Sequence, residues 1–121
     1  MSESIIGARI PQVTARTKVS GTAQYAGDLK MVGMLHGKVL RSPYPHARII
    51  SIDTSRARAL KGVKAVLTGE DTPTRMWGSA RKERRILAAG KVRFAGEEVA
   101  AVAAVSDEIA RDALELIRGE Y

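Results

Sequence analysis

Apolar and polar residues alternate with a period of two over residues 34–40. Leu35, Gly37 and Val39 fall on one side, and Met34, His36, Lys38 and Leu40 on the other, which predicts a strand. Ser42-Pro43-Tyr44-Pro45 ends it, because two prolines remove two ladder donors. Residues 47–53, rich in isoleucine, read as a second strand. Asp53, Thr54 and Ser55 offer N-cap oxygens for a short helix running through Leu60, with Gly62 at the left-handed position beyond it. Residues 63–67 read as a strand, 69–73 as a turn, and 74–90, which have no period, as a loop. A short strand over 91–94 and a turn at 95–98 lead into 99–105, a run of small apolar residues that reads as a strand buried on both faces. Ser106 caps a longer helix over about 107–118, with Asp107 and Glu108 in its first turn against the helix dipole. Its apolar stripe is Ile109, Ala113, Leu116 and Ile117. Residues 1–33, punctuated by Pro11, Gly21, Gly27 and Gly33, read as an extended arm with turns.

These elements define an α+β class, mixed β-structure with two helices. At 121 residues the chain has the length of one domain, with the 1–33 arm belonging to a 34–121 core. Strand, capped helix and strand occur once. Strand and capped helix then recur, but the expected closing strand is missing, so the pattern reads as a unit taken from a much larger subunit.

Composition narrows the chemistry. There is no cysteine, which excludes disulfides, Cys-ligated zinc, iron–sulfur ligation by this chain and a thiol nucleophile, and fits a reducing, cytoplasmic setting. The longest apolar run, 99–105, is far short of the roughly 20 residues of a membrane helix, and Glu3 without a following apolar core predicts no secretory signal. His36 and His46 have no carboxylate at ligand spacing, and adjacent Glu97 and Glu98 point apart in extended chain, so neither pair makes a metal or acid–base site. Gly90-Lys91 is followed by Val92, where a phosphate loop needs a hydroxyl.

The net charge of +7 is uneven. Residues 1–74 carry 11 basic and 5 acidic side chains, and residues 94–121 carry 2 basic and 7 acidic ones. Residues 75–93 carry Arg75, Arg81, Lys82, Arg84, Arg85, Lys91 and Arg93 against Glu83 alone. Such a stretch suits nucleic acid, an anionic cofactor, an acidic protein partner or plain solvation. Trp77 is the only tryptophan and aromatics do not recur among the basic residues, so nucleic-acid binding ranks low.

A series of blocks carries a resemblance. Lys18-Val19-Ser20-Gly21-Thr22-Ala23-Gln24-Tyr25-Ala26-Gly27-Asp28 is followed by Gly33-Met34-Leu35-His36-Gly37-Lys38-Val39-Leu40-Arg41-Ser42-Pro43. Pro45-His46-Ala47-Arg48-Ile49, Ser51-Ile52-Asp53-Thr54-Ser55, Gly62-Val63-Lys64-Ala65-Val66-Leu67-Thr68 and Asp71-Thr72-Pro73 come next. Leu87-Ala88, Lys91-Val92-Arg93-Phe94, Gly96-Glu97 and Val99-Ala100-Ala101-Val102-Ala103-Ala104 complete it. In this order the blocks resemble the N-terminal α/β-hammerhead domain of the molybdenum hydroxylase large subunit, in the xanthine dehydrogenase and aldehyde oxidase family. The sequence departs from the family at Ala89-Gly90, where an acidic residue is usual. It departs again at Glu98 in place of proline, and at Gly119 in place of a strand valine. Residues 75–86 match nothing firm.

The resemblance implies an oxidoreductase that holds molybdenum on a pterin dithiolene cofactor. It hydroxylates an aromatic heterocycle or aldehyde with oxygen from water and passes electrons to 2Fe-2S clusters and FAD on partner domains or subunits. A few relatives reduce an aromatic thioester or oxidise carbon monoxide instead. It also implies that the cofactor contacts and the catalytic base lie in the larger region after this domain, so no catalytic, cofactor-binding or metal residue is expected here. The expected role is packing and assembly against the molybdenum-binding region of the same subunit, an iron–sulfur subunit and a possible FAD subunit. Arg41, Ser42, His46 and Arg48 are the candidate interdomain contacts, since two prolines fix that corner and arginines supply rigid donor forks. The same residues are equally suited to pinning the corner's own backbone. A free-standing basic nucleic-acid-binding or protein-interaction domain is the alternative.

Overall fold

A seven-residue strand, mostly of small apolar side chains, builds the centre of the molecule. In the computed structural model, which describes residues 6–121, Glu98–Ala104 is strand β6 of seven, counted in chain order. It pairs antiparallel along both edges, with β1 (His36–Arg41) and with β4 (Val63–Thr68), in the order β1-β6-β4. Two short pairs complete the β-structure. β2 (Ala47–Arg48) pairs with β5 (Lys91–Val92), and β3 (Ser51–Asp53) pairs with β7 (Arg118–Glu120). The chain divides into two compact units, Met1–Val32 and Gly33–Tyr121.

The second unit holds the core. Helices α2 (Ser55–Ala59) and α3 (Asp107–Leu116) pack on one face of the β1-β6-β4 sheet. Val66, Ala100 and Val102 meet Ala57, Ala113 and Ile117 there, with Leu40, Ile52, Leu60 and Val63 at the margin. A smaller cluster joins Ala88, Val92 and Val99 to Ala47, Ile49 and Tyr121, and again to Leu40 and Ile52. Ser106 caps α3 as its sequence predicts, its Oγ accepting from the Ile109 N–H at 3.2 Å.

Several boundaries differ from the sequence reading, each for a physical reason. The 47–53 strand is two strands, because the chain changes partner in the middle: the Ile49 N–H donates to the Gly90 carbonyl at 3.0 Å and the Ile50 N–H to the Glu120 carbonyl at 2.8 Å. Helix α3 stops at Leu116, not near 118. Residues 118–120 are the closing strand that the sequence pattern lacked, and the absent Cβ of Gly119 leaves room for the Tyr121 ring, whose Cε2 would lie 2.8 Å away. At the start of α2, Thr54 makes no side-chain cap bond, and Asp53 Oδ1 instead accepts from the Ser55 N–H at 2.9 Å. Gly62 is not the residue directly after that helix. It sits at φ +99° inside the turn closed by the Val63 N–H and the Leu60 carbonyl, where a Cβ would come 2.8 Å from Ile109 Cδ1.

The first unit contains a helix that no period announced, α1 (Ala15–Val19). Gly21, at φ +71°, ends it: the Thr22 N–H reaches the Thr17 carbonyl at 3.0 Å and the Gly21 N–H reaches the Lys18 carbonyl at 3.2 Å. A 3₁₀ turn follows at Ala26–Asp28.

Removing the Ser106 hydroxyl by Ser106→Ala lowers the unfolding free energy by about 1 kcal/mol. Thr54→Ala costs only a few tenths, since that hydroxyl caps nothing. Urea unfolding of the two variants checks the order.

Three aspartates, exposed Asp53 and Asp71 and half-buried Asp107, lie below the usual carboxylate range. Asp53 is lowered by hydrogen bonds from Ser55 and Asp71 by those from Thr68. Asp107 is lowered first by its bond from Lys38, at 2.7 Å, and then by Arg111. Because their folded values are depressed, the stability they contribute is present above about pH 4 and is lost as the pH falls through the folded values. Carboxyl NMR titration of Lys38→Met checks this, with Asp107 moving back toward its ordinary range and Asp53 and Asp71 unmoved.

Candidate functional site

β1 ends in a corner that the chain builds from two distant stretches. Strand register shifts between Leu40 and Arg41, so Leu40 faces Ala100 while Arg41 faces Glu98. Arg41 Nη1 donates to the Gly96 carbonyl at 2.7 Å and to Glu98 Oε1 at 2.7 Å. Ser42 is 3% exposed and fully engaged. Its N–H donates to the Glu97 carbonyl at 2.9 Å, its carbonyl accepts from the Gly96 N–H at 2.8 Å, and its hydroxyl lies 3.1 Å from both the Tyr44 N–H and the Tyr44 carbonyl. Buried Glu97 accepts from the Arg93 N–H, while Glu98 serves Arg41, so the adjacent carboxylates have separate structural partners.

The four residues singled out in the sequence therefore divide. Arg41 and Ser42 direct their hydrogen bonds inside the domain. His46 and Arg48 are exposed, and their side chains make no hydrogen bond or ion pair among the described residues. Tyr44 stacks at a tilt on Tyr121, ring centres 5.1 Å apart, and burial followed by the Tyr44 neighbour pushes the Tyr121 hydroxyl up.

Two features escaped the sequence reading. The 74–90 loop contains a closed hairpin: the Trp77 N–H donates to the Arg84 carbonyl at 2.7 Å and the Arg84 N–H returns to the Trp77 carbonyl at 3.0 Å. A Cβ on Gly78 would collide with the Arg81 carbonyl, so that glycine was the available signal. The second feature is the outer face of the β1-β6-β4 sheet. By alternation and register it carries Gly37 and Val39, Ala103 and Ala101, and Ala65 and Leu67. No cluster of three His, Cys, Asp or Glu able to hold a metal occurs among the described residues. None of the described helices is long and apolar enough to cross a membrane.

Architecture and corner together define an α/β-hammerhead domain. The chain belongs to the aldehyde oxidase and xanthine dehydrogenase family, whose a/b hammerhead domain model matches residues 20–121. It is 48% identical over 107 residues to a probable xanthine dehydrogenase subunit of Bacillus subtilis, covering 88% of this chain and 14% of that one. It is 40% identical over 118 residues to the nicotinate dehydrogenase large molybdopterin subunit of Eubacterium barkeri, covering 97% of this chain and 28% of the relative. The solved CO dehydrogenase from Oligotropha carboxidovorans superimposes with a TM-score of 0.89 at 39% identity, over 95% of this chain and 15% of that chain. The chain thus spans less than a third of the length of each of these relatives.

Arg41→Ala opens the corner, because the Gly96 carbonyl and Glu98 lose their donor. The exposed pair contributes at most about 1 kcal/mol, so a melting-temperature drop of a few degrees is expected, against no change for Arg48→Ala. Thermal unfolding of both variants checks the difference.

Proposed function

We propose that this chain is the N-terminal structural and assembly domain of a molybdenum-pterin oxidoreductase large subunit. The parent enzyme hydroxylates an aromatic heterocycle or aldehyde with water oxygen and sends electrons to 2Fe-2S clusters and FAD. One observation carries the reading: the six facing positions in the middle of the outer sheet face, inside the Arg41–Glu98 pair at its end, are all apolar, and that face is open. Val39 and Leu67 there are 41% and 45% exposed, among glycine and alanine. An antiparallel sheet facing water alternates polar residues onto that face, and a contiguous apolar one marks a contact surface. With relatives several times longer, the cover is further chain of the same subunit, its molybdenum-binding region.

The arm adds to this. None of its described residues is buried, and Val13 and Val19 are 96% and 90% exposed. We assign residues 1–33 to the same domain as the 34–121 core, supported by the unbroken family match from residue 20. At the corner, His46 and Arg48 offer free groups to an iron–sulfur subunit, and an FAD subunit completes the electron path. Arg41 and Ser42 belong to the same contact by holding its shape. A cytoplasmic setting agrees with the cysteine-free sequence.

We assign no cofactor contact to this chain. The most enclosed cavity, between Ile49–Ile52, Thr68–Glu70 and Ala88–Gly90, holds about 120 Å³, below the several hundred that a ligand of pterin size fills, and the larger hollows at residues 78–84 and beside Phe94 are wider open to solvent. No step of the reaction is assigned here.

In the full-length subunit, Val39→Asp with Leu67→Asp places two unpaired carboxylates under the cover, at about 3 kcal/mol or more each. Loss of the molybdenum-loaded complex on size exclusion, with metal content falling in step, is the expected result. Complete assembly with full metal content would overturn the reading.

A further inference from the structure

We propose that the hairpin closed by Trp77 and Arg84 is a docking surface for an acidic polypeptide segment. The inference stands on the hairpin alone and does not depend on the oxidoreductase reading.

Residues 75–85 place five cations, Arg75, Arg81, Lys82, Arg84 and Arg85, around one acid, Glu83. The domain pairs Lys38, Arg41, Arg58, Arg93 and Arg111 with its own carboxylates. None of the five hairpin cations has such a partner among the described residues. All but the half-buried Arg85 are exposed. A run of like charge repels itself, and an opposing charge from outside relieves that repulsion.

Two of the cations, Arg75 and Arg84, are also held in place. Two backbone bonds close the hairpin, and Gly78 permits the tight path of its first strand. The Arg75 guanidinium lies over the Trp77 ring at 5.0 Å, and that of Arg84 over Phe94 at 5.4 Å. Preset groups lose less freedom on binding, and guanidinium forks match carboxylates. Two hollows share Glu83 and Arg84 in their walls. One, of about 460 Å³, is completed by residues 78–81, and the other, of about 330 Å³, by Arg93, Phe94 and Glu97.

One carboxylate decides the class of partner. Glu83 offers acceptor oxygens inside a cationic frame, whereas buried Glu97 is already engaged by Arg93. A peptide brings a backbone N–H donor at almost every residue for the acceptors and carboxylates for the arginines, whereas the sugar–phosphate backbone of DNA brings only acceptors and anions, its donors being confined to base edges. Single-strand binders also stack successive bases on aromatic rings, but here both nearby rings already carry a guanidinium.

Trp77 is the chain's only tryptophan, so its fluorescence reports on the hairpin directly. The full chain is titrated at low salt with an oligoglutamate peptide of about ten residues, long enough to span the cations. A saturable emission change is expected. Its midpoint should rise about tenfold in the R81Q/K82Q/R84Q/R85Q variant and about threefold in R81Q/K82Q, with K61Q/K64Q unchanged. The double variant guards against misfolding, since the Arg81 and Lys82 side chains make no hydrogen bond or ion pair among the described residues. Three results would overturn the proposal: no emission change, equal midpoints in all variants, or displacement of the peptide by single-stranded DNA of equal charge at far lower concentration.

Discussion

Everything in the larger unit depends on β6 being paired along both edges while staying thin. Its backbone is committed to β1 on one side and β4 on the other, so neither edge is free for pairing elsewhere. Its side chains are mostly alanine, and they meet alanines again across the interface: Ala100 and Ala104 on the strand, Ala57, Ala110 and Ala113 on the helices, all fully buried. Small residues on both sides let helix and sheet approach closely. The core is therefore shallow, and it gains less from apolar area than a leucine-rich one of equal length. Ala101 and Ala103 give the opposite face the same flatness, so the alanine pattern that seats the helices also leaves a smooth apolar surface outward.

Two residues link this seam to the corner. Leu40 and Ile52 pack against both buried clusters, so the sheet core and the Val92–Val99 cluster are joined through side chains as well as through backbone. Ser42 and Glu97 are the two buried polar residues among the described ones, and both are hydrogen-bonded. No buried side-chain polar atom among the described residues lacks a partner. That satisfaction keeps an irregular corner, with a register shift and two prolines, from destabilising the strands it joins.

Local signals were legible and distant ones were not. The alternation of 34–40 put Gly37 and Val39 on one face and Lys38 and Leu40 on the other, as the strand does, because period two is a property of the backbone itself. The Ser106 cap and the α/β-hammerhead class were legible for similar reasons: a cap is a contact three residues long, and the class follows from ordered blocks. The split of 47–53 was not legible, since nothing in Ile49-Ile50 says that the partner changes there from β5 to β7. Helix α1 was missed because none of its residues is buried and its five positions show no apolar stripe. Gly21 read as a turn when it was the residue that ends a helix. The corner residues were visible as a group. Which of them were already bonded was not, because Arg41 finds its partner 57 residues away.

The surfaces that remain differ in physical kind. The outer sheet face is apolar, so contact there excludes water and is insensitive to salt. The hairpin at 77–84 is cationic, so contact there weakens as the Debye length shrinks to about 8 Å at physiological ionic strength. An apolar face suits permanent packing, while a charged protrusion steers the approach of a partner and sets its orientation. A domain carrying both on separate elements can keep its place in a large subunit while still discriminating between the chains that meet it.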